Sequence, residues 1–141
     1  EAQPIGAEAE FELAKMKFAK SKEEANGAFQ RMAQSNGPFA AHAKVWSLRC
    51  LLSLKKMDEV ETQCRRILSD RANATMAMIQ AASSALGEIL LGRVEKDKAN
   101  LREALVSCAE AISVGPPFLK EDAEEYVRAL LNAGRCCALL F

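Results

Sequence analysis

Three twelve-residue stretches of this sequence follow one plan: KEEANGAFQRMA from Lys22, MDEVETQCRRIL from Met57 and LREALVSCAEAI from Leu101. Each has Glu third, a small or apolar residue fourth, a buried-type residue eighth, and apolar or small residues at eleven and twelve. Positions four and eight lie one turn apart on a single helix face, so each stretch is half of a stripe that must pack against something. The fourth residues, Ala25, Val60 and Ala104, recur at a spacing typical of stacked helical hairpins, and a chain repeating such a unit has little freedom to become anything else.

The rest of the chain agrees with helices. No run alternates with period two, and apolar residues recur at three, four and seven, as in Val45, Leu48 and Leu52 or Ile79, Ala82, Leu86, Ile89 and Leu90. Seven helices are predicted, over 7–20, 22–35, 39–54, 58–69, 74–91, 101–114 and 119–140. Punctuation supports the boundaries: Asn36-Gly37-Pro38 separates the second helix from the third, Gly92 follows the fifth, and Gly115-Pro116-Pro117 ends the sixth. Ser21 with Glu24 and Asn100 with Glu103 have capping-box spacing. The expected class is all-α, with the helices paired as antiparallel hairpins in a single domain over 1–141.

Composition excludes several roles. Lys plus Arg is 19 and Asp plus Glu is 19, so no net charge draws the surface to nucleic acid or to an anionic membrane. The longest uncharged run, 72–87, is too short and too polar to span a bilayer. Five cysteines, an odd number without a CxxC pair, all fall in helical patterns, which implies reduced thiols in an intracellular, reducing compartment. Asn73-Ala74-Thr75 has the form of a glycosylation acceptor, but reads as a helix cap. The first residue is Glu1 rather than Met, which leaves room for a targeting or anchoring segment outside this sequence.

The stripe resembles the second helix of a tetratricopeptide (TPR) repeat: in LREALVSCAEAI a small residue, Ala104, is followed by Cys108, Ala111 and Ile112, and then by Pro116. Leu86-Gly87-xx-Leu90 is similar to that family's first helix, and Leu130-xx-Ala133-Gly134-xx-Cys137 looks like the start of another repeat. The signature Trp and Tyr are mostly replaced and the repeat spacing is uneven, so the resemblance implies a short, irregular TPR-like superhelix with repeats over roughly 7–35, 39–70 and 74–114 and a final helix over 119–140. It also implies a concave surface lined by first helices. In this register that surface holds Ala43, Trp46, Ser47 and Cys50, then Ala81, Ser84 and Glu88, then Arg128, Leu131, Asn132 and Arg135. Arg128, Asn132 and Arg135 share one helix face, suited to an acidic or extended peptide. Size and Ala-rich character are also similar to small TPR-like mitochondrial membrane-associated proteins of trypanosomatids, which implies a role around respiratory-complex assembly and organelle segregation.

Catalytic constellations are sparse. The chain has one histidine, His42, with no acid or thiol placed beside it by local spacing. Adjacent helical residues such as Cys136 and Cys137 diverge by about 100°, so they do not share a metal ion. Packing accounts for Cys64, Cys108 and Cys137, while Cys136 is expected to be exposed and reactive. The leading expectation is a non-catalytic scaffold for a protein partner, without metal or cofactor. Its apolar end, Cys137 to Phe141, is expected to promote self-association. The alternative is thiol chemistry at Cys136 or a Cys–His42 pair.

Overall fold

The computed structural model describes residues 4–94, 97–117 and 123–140, and these contain seven α-helices, one short 3-10 turn and no strand. The helices are α1 (Pro4–Lys20), α2 (Lys22–Gln34), α3 (Ala40–Ser53), α4 (Met57–Ser69), α5 (Met76–Leu91), α6 (Ala99–Ser113) and α7 (Glu124–Leu140). Helices α2 to α6 match the predicted limits to within two residues, whereas α1 begins earlier, at Pro4. The predicted start of the last helix, at 119, lies outside the described residues. The chain divides into two compact units, Glu1–Glu59 and Val60–Phe141.

In the first unit α2 packs against both α1 and α3. Its core joins Phe11 and Ala14 of α1 to Ala25, Ala28, Phe29 and Met32 of α2, and to Ala43 and Cys50 of α3. Aromatic rings bind the three helices: Phe11 stacks on Phe39 at 5.1 Å between centroids and meets Phe29 edge-on at 5.9 Å. Such pairs contribute about 0.5–1.5 kcal/mol beyond the area they bury. Ser47 Oγ donates to Asn26 Oδ1 at 2.8 Å, which satisfies polar atoms that burial would otherwise penalise. Ser21 caps α2 by accepting from the Glu24 N–H, but its own N–H donates to the Lys17 carbonyl, so only half of the expected capping box forms. Lys55 ends α3 at φ 59°; its N–H reaches the Leu52 carbonyl and that of Lys56 reaches Leu51, a Schellman closure made without glycine.

In the second unit α5 packs against α6 and α7, and α6 also packs against α7. Nearly all of α5 from Gln80 to Leu90 is buried, and its polar residues are spent on helix ends and neighbours. Gln80 Nε2 donates to the carbonyls of Ala111 and Gly115, and Ser84 Oγ donates to that of Glu125 at 2.8 Å. Gly87 permits the closest approach: a Cβ built there would lie 2.5 Å from Cys108 Sγ and 3.3 Å from the Ala104 carbonyl oxygen. Outside this core, Glu61 holds both Arg65 (3.1 Å) and Arg93 (2.7 Å), and Arg71 of the 3-10 turn pairs with Glu110.

The three repeated stretches occupy α2, α4 and α6, and their fourth and eighth residues, Ala25, Phe29, Val60, Cys64, Ala104 and Cys108, are all 0% exposed. Two local expectations fail. Asn100 does not cap α6: the helix starts at Ala99, whose N–H is taken by Asp97 Oδ1 at 2.9 Å, and Asn100 turns its amide toward the Arg93 carbonyl. The register of the last helix also differs. Glu125, Ala129, Asn132 and Cys136 form the buried face of α7, Leu130 is exposed, and a Cβ at Gly134 would meet nothing within 4 Å. Gly134 is therefore no counterpart of Gly87.

Candidate functional site

The burial of α5 lapses at Glu88, opposite the exposed flank of α7. Arg128 Nε lies 3.6 Å from Glu88 Oε1, and its Nη2 donates to Glu124 Oε1 at 2.8 Å, so one guanidinium ties the two helices and the start of α7 together. Two turns on, Arg135 Nη1 donates to Asn132 Oδ1 at 3.3 Å. That contact fixes the amide with its oxygen engaged and its nitrogen free to donate. Asn132 is only 1% exposed, yet Nδ2 has no hydrogen-bond partner. A buried donor left unpaired costs about 1–3 kcal/mol.

Asn132 lies where two open depressions adjoin. The first, about 500 Å³, runs along Val127, Leu131 and Arg128; the second, about 620 Å³, runs along Leu91, Val94 and Leu139. Glu88, Asn132 and Arg135 line both. Together they make a groove with a polar centre and apolar shoulders. Leu131 and Leu139 are each 61% exposed, far above the burial of a core leucine. The lining carries two arginines and two glutamates, so its formal charges cancel.

Five residues predicted from the sequence, Glu88, Arg128, Leu131, Asn132 and Arg135, meet in this groove. The remaining six are elsewhere. Ala43, Ser47 and Cys50 are buried in the first unit, and Ala81 and Ser84 are buried along α5. Trp46 is half-buried against the core of the first unit, stacked on Phe29 at 5.7 Å, met edge-on by Phe18 at 5.4 Å, with the Arg49 guanidinium 4.5 Å from its ring centre. Sequence reasoning missed Val127 and Leu139, though Val127 was detectable, one helical turn before Leu131 on the same face.

No family model, curated protein or solved structure matches the chain. Its chemistry is therefore judged on the geometry. Cys136, expected to be exposed, is buried, because it continues the inward stripe of Ala129 and Asn132; Cys137, about 100° around the helix, is the exposed thiol. Burial raises the Cys136 thiol above its ordinary value, and pushes Cys50 and Cys108 to about 11 and Cys64 to about 12, so none is a ready nucleophile. His42 is exposed at the edge of the Phe11 and Phe39 rings. Cys50 is eight residues on along α3, a rise of about 12 Å, too far for a dyad. Among the described residues no group of three metal-ligating side chains comes together, and no helix is long and apolar enough to cross a membrane.

Proposed function

We propose that this chain is a non-catalytic protein–protein interaction scaffold, an irregular TPR-like helical array that holds an extended segment of a partner in the groove between α5 and α7. The observation that carries this reading is the unpaired, buried amide of Asn132 at the meeting point of two open, apolar-shouldered depressions. Buried donors are paired in nearly all folded proteins, so an unpaired one on the wall of an open groove is an exception that marks the place. Free thiols throughout suit a reducing intracellular compartment.

Affinity capture with the tagged chain, from separate membrane and soluble fractions, tests this reading against an Arg128→Glu/Arg135→Glu variant. Defined proteins retained by the native chain, confirmed by reciprocal capture and lost by the variant, support it. An identical set from both forms refutes the groove. A second reading, self-association through α7, is favoured by the exposure of Val127, Leu130, Leu131, Leu139 and Leu140 along that helix. Sedimentation equilibrium separates the two, since a self-assembling chain gains mass with concentration and Leu131→Glu/Leu139→Glu abolishes the gain.

A further inference from the structure

We infer that Cys108 and Cys136 form a redox-sensitive latch, in which an oxidant of the low-molecular-weight disulfide class joins the two sulfurs and staples α7 to α6. The latch is independent of what the groove holds. Both side chains are 0% exposed, and they lie on helices that pack against each other. Their thiols meet across that contact and are hydrogen-bonded to each other. Small neighbours bring the two backbones together: Ala104 and Ala111 stand one turn either side of Cys108, Ala129 stands two turns before Cys136, and all three are 0% exposed. Gly87 of α5 also lies against the Cys108 sulfur, which an added Cβ would approach to 2.5 Å, so the sulfur has little room to turn away from Cys136.

The geometry suits a bond. Packed helix axes lie about 8–10 Å apart, and a Cα radius of about 2.3 Å on each side leaves directly facing Cα atoms about 3.4–5.4 Å apart. That interval overlaps the Cα separation of about 4.4–6.8 Å that a disulfide spans. The exchange balances in two steps. The Cys136 thiolate attacks the added disulfide R–S–S–R and expels one R–S⁻, leaving a mixed disulfide; the Cys108 thiolate then attacks the Cys136 sulfur and expels the second R–S⁻. The protein thiols lose two protons, which the leaving groups take up, and two electrons, which reduce the added disulfide to two R–SH. Access comes from local opening, because Cys136 sits in the last turns of α7 and helix ends open at lower cost than a core. Burial raises both thiols, so closure is slow and answers sustained rather than brief oxidation. Cys137, exposed about 100° further round the helix, takes no part in the bond.

The test incubates the intact, folded native chain and its Cys137→Ser variant with oxidised glutathione. The variant is needed because trypsin, cutting after Arg135, leaves Cys136 and Cys137 in one peptide. In the variant the expected product has lost two hydrogens, links the Cys108 and Cys136 peptides, unfolds at a urea midpoint higher by about 1–2 M, and exchanges the amides of α7 more slowly. Dithiothreitol is expected to reverse all four changes. The native chain is expected to give the same link, with Cys137 carrying glutathione. The same reagent added in urea is expected to give mixed pairings that include Cys50 and Cys64, which separates a native contact from chance collision. Cys108→Ser/Cys137→Ser, compared with its own untreated form, is expected to show no rise in midpoint. Glutathione adducts without a Cys108–Cys136 link, a different pair in the folded chain, or thiols still reduced after prolonged incubation overturn the latch. So does a link that leaves the midpoint and the exchange of α7 unchanged.

Discussion

Replacing Gly87 with Ala tests whether the α5–α6 contact is set by the missing side chain. The new Cβ would lie 2.5 Å from Cys108 Sγ, and also 3.3 Å from the Ala104 carbonyl oxygen and 3.4 Å from the Cys108 nitrogen. Optimal non-bonded separations are about 3.5–4.0 Å, so the sulfur must retreat by about 1 Å. It has nowhere open to go, because Ala104 and Cys108 are both fully buried. Overpacking of this kind costs about 1–3 kcal/mol, and the better helix propensity of Ala returns about 0.8–1.0 kcal/mol. The net loss is about 0–2 kcal/mol, which for a small protein lowers the urea midpoint by up to roughly 1 M. Circular dichroism measures the midpoint, and hydrogen exchange of α5 and α6 peptides locates the loss. Combining Gly87→Ala with Cys108→Ala removes the clashing atom, and the pair is expected to couple favourably by about 1–2 kcal/mol. A midpoint that rises in the single variant, or purely additive effects in the double variant, refutes the close-approach argument.

Three further outcomes follow from buried groups. Ser47→Ala leaves Asn26 Oδ1 without its donor inside the first unit and is expected to destabilise by about 1–2 kcal/mol in urea denaturation, whereas Ser53→Ala, at an exposed site on the same helix, is expected to change little. In the native chain, Cys137 is expected to react with a disulfide reagent well before the other four thiols, which become reactive only on unfolding; mass spectrometry of the labelled peptides checks the assignment. Those raised thiols also predict an alkaline limit. They stay protonated in the folded chain while unfolded thiols ionise near 9.0, so stability is undiminished below that pH and falls as pH climbs toward about 11 to 12. A urea midpoint unchanged across that interval contradicts the assignment.

The repeat was legible because its signal is local and redundant. A small residue and an apolar one spaced four apart leave a helix a single face to bury, and Ala25 with Phe29, Val60 with Cys64, and Ala104 with Cys108 all comply. The last helix was harder because its apolar residues surround it. Leu130, Ala133 and Cys137 suggested one face, but α7 turns Glu125, Ala129, Asn132 and Cys136 inward, and the Glu125 carbonyl takes the Ser84 hydroxyl. Hydrophobic periodicity does not register a face chosen by small side chains and backbone hydrogen bonds. The same limit governs the site. Arg128, Asn132 and Arg135 were placed together by spacing along one helix, whereas the role of Trp46 depended on which rings the tertiary fold brought to it. Asp97, nearer than Asn100 to the first free N–H of α6, displaced a cap that spacing alone had suggested.

The sole tryptophan of the sequence, Trp46, belongs to the first compact unit and the sole tyrosine, Tyr126, to the second. Each unit thus carries its own chromophore without any engineering. Indole emission excited at the red edge reports on the ring cluster around Phe29, and phenol emission reports on α7 beside the groove. Energy transfer from phenol to indole is then a built-in ruler between the units, and a ligand that alters only the tyrosine signal identifies the unit it binds.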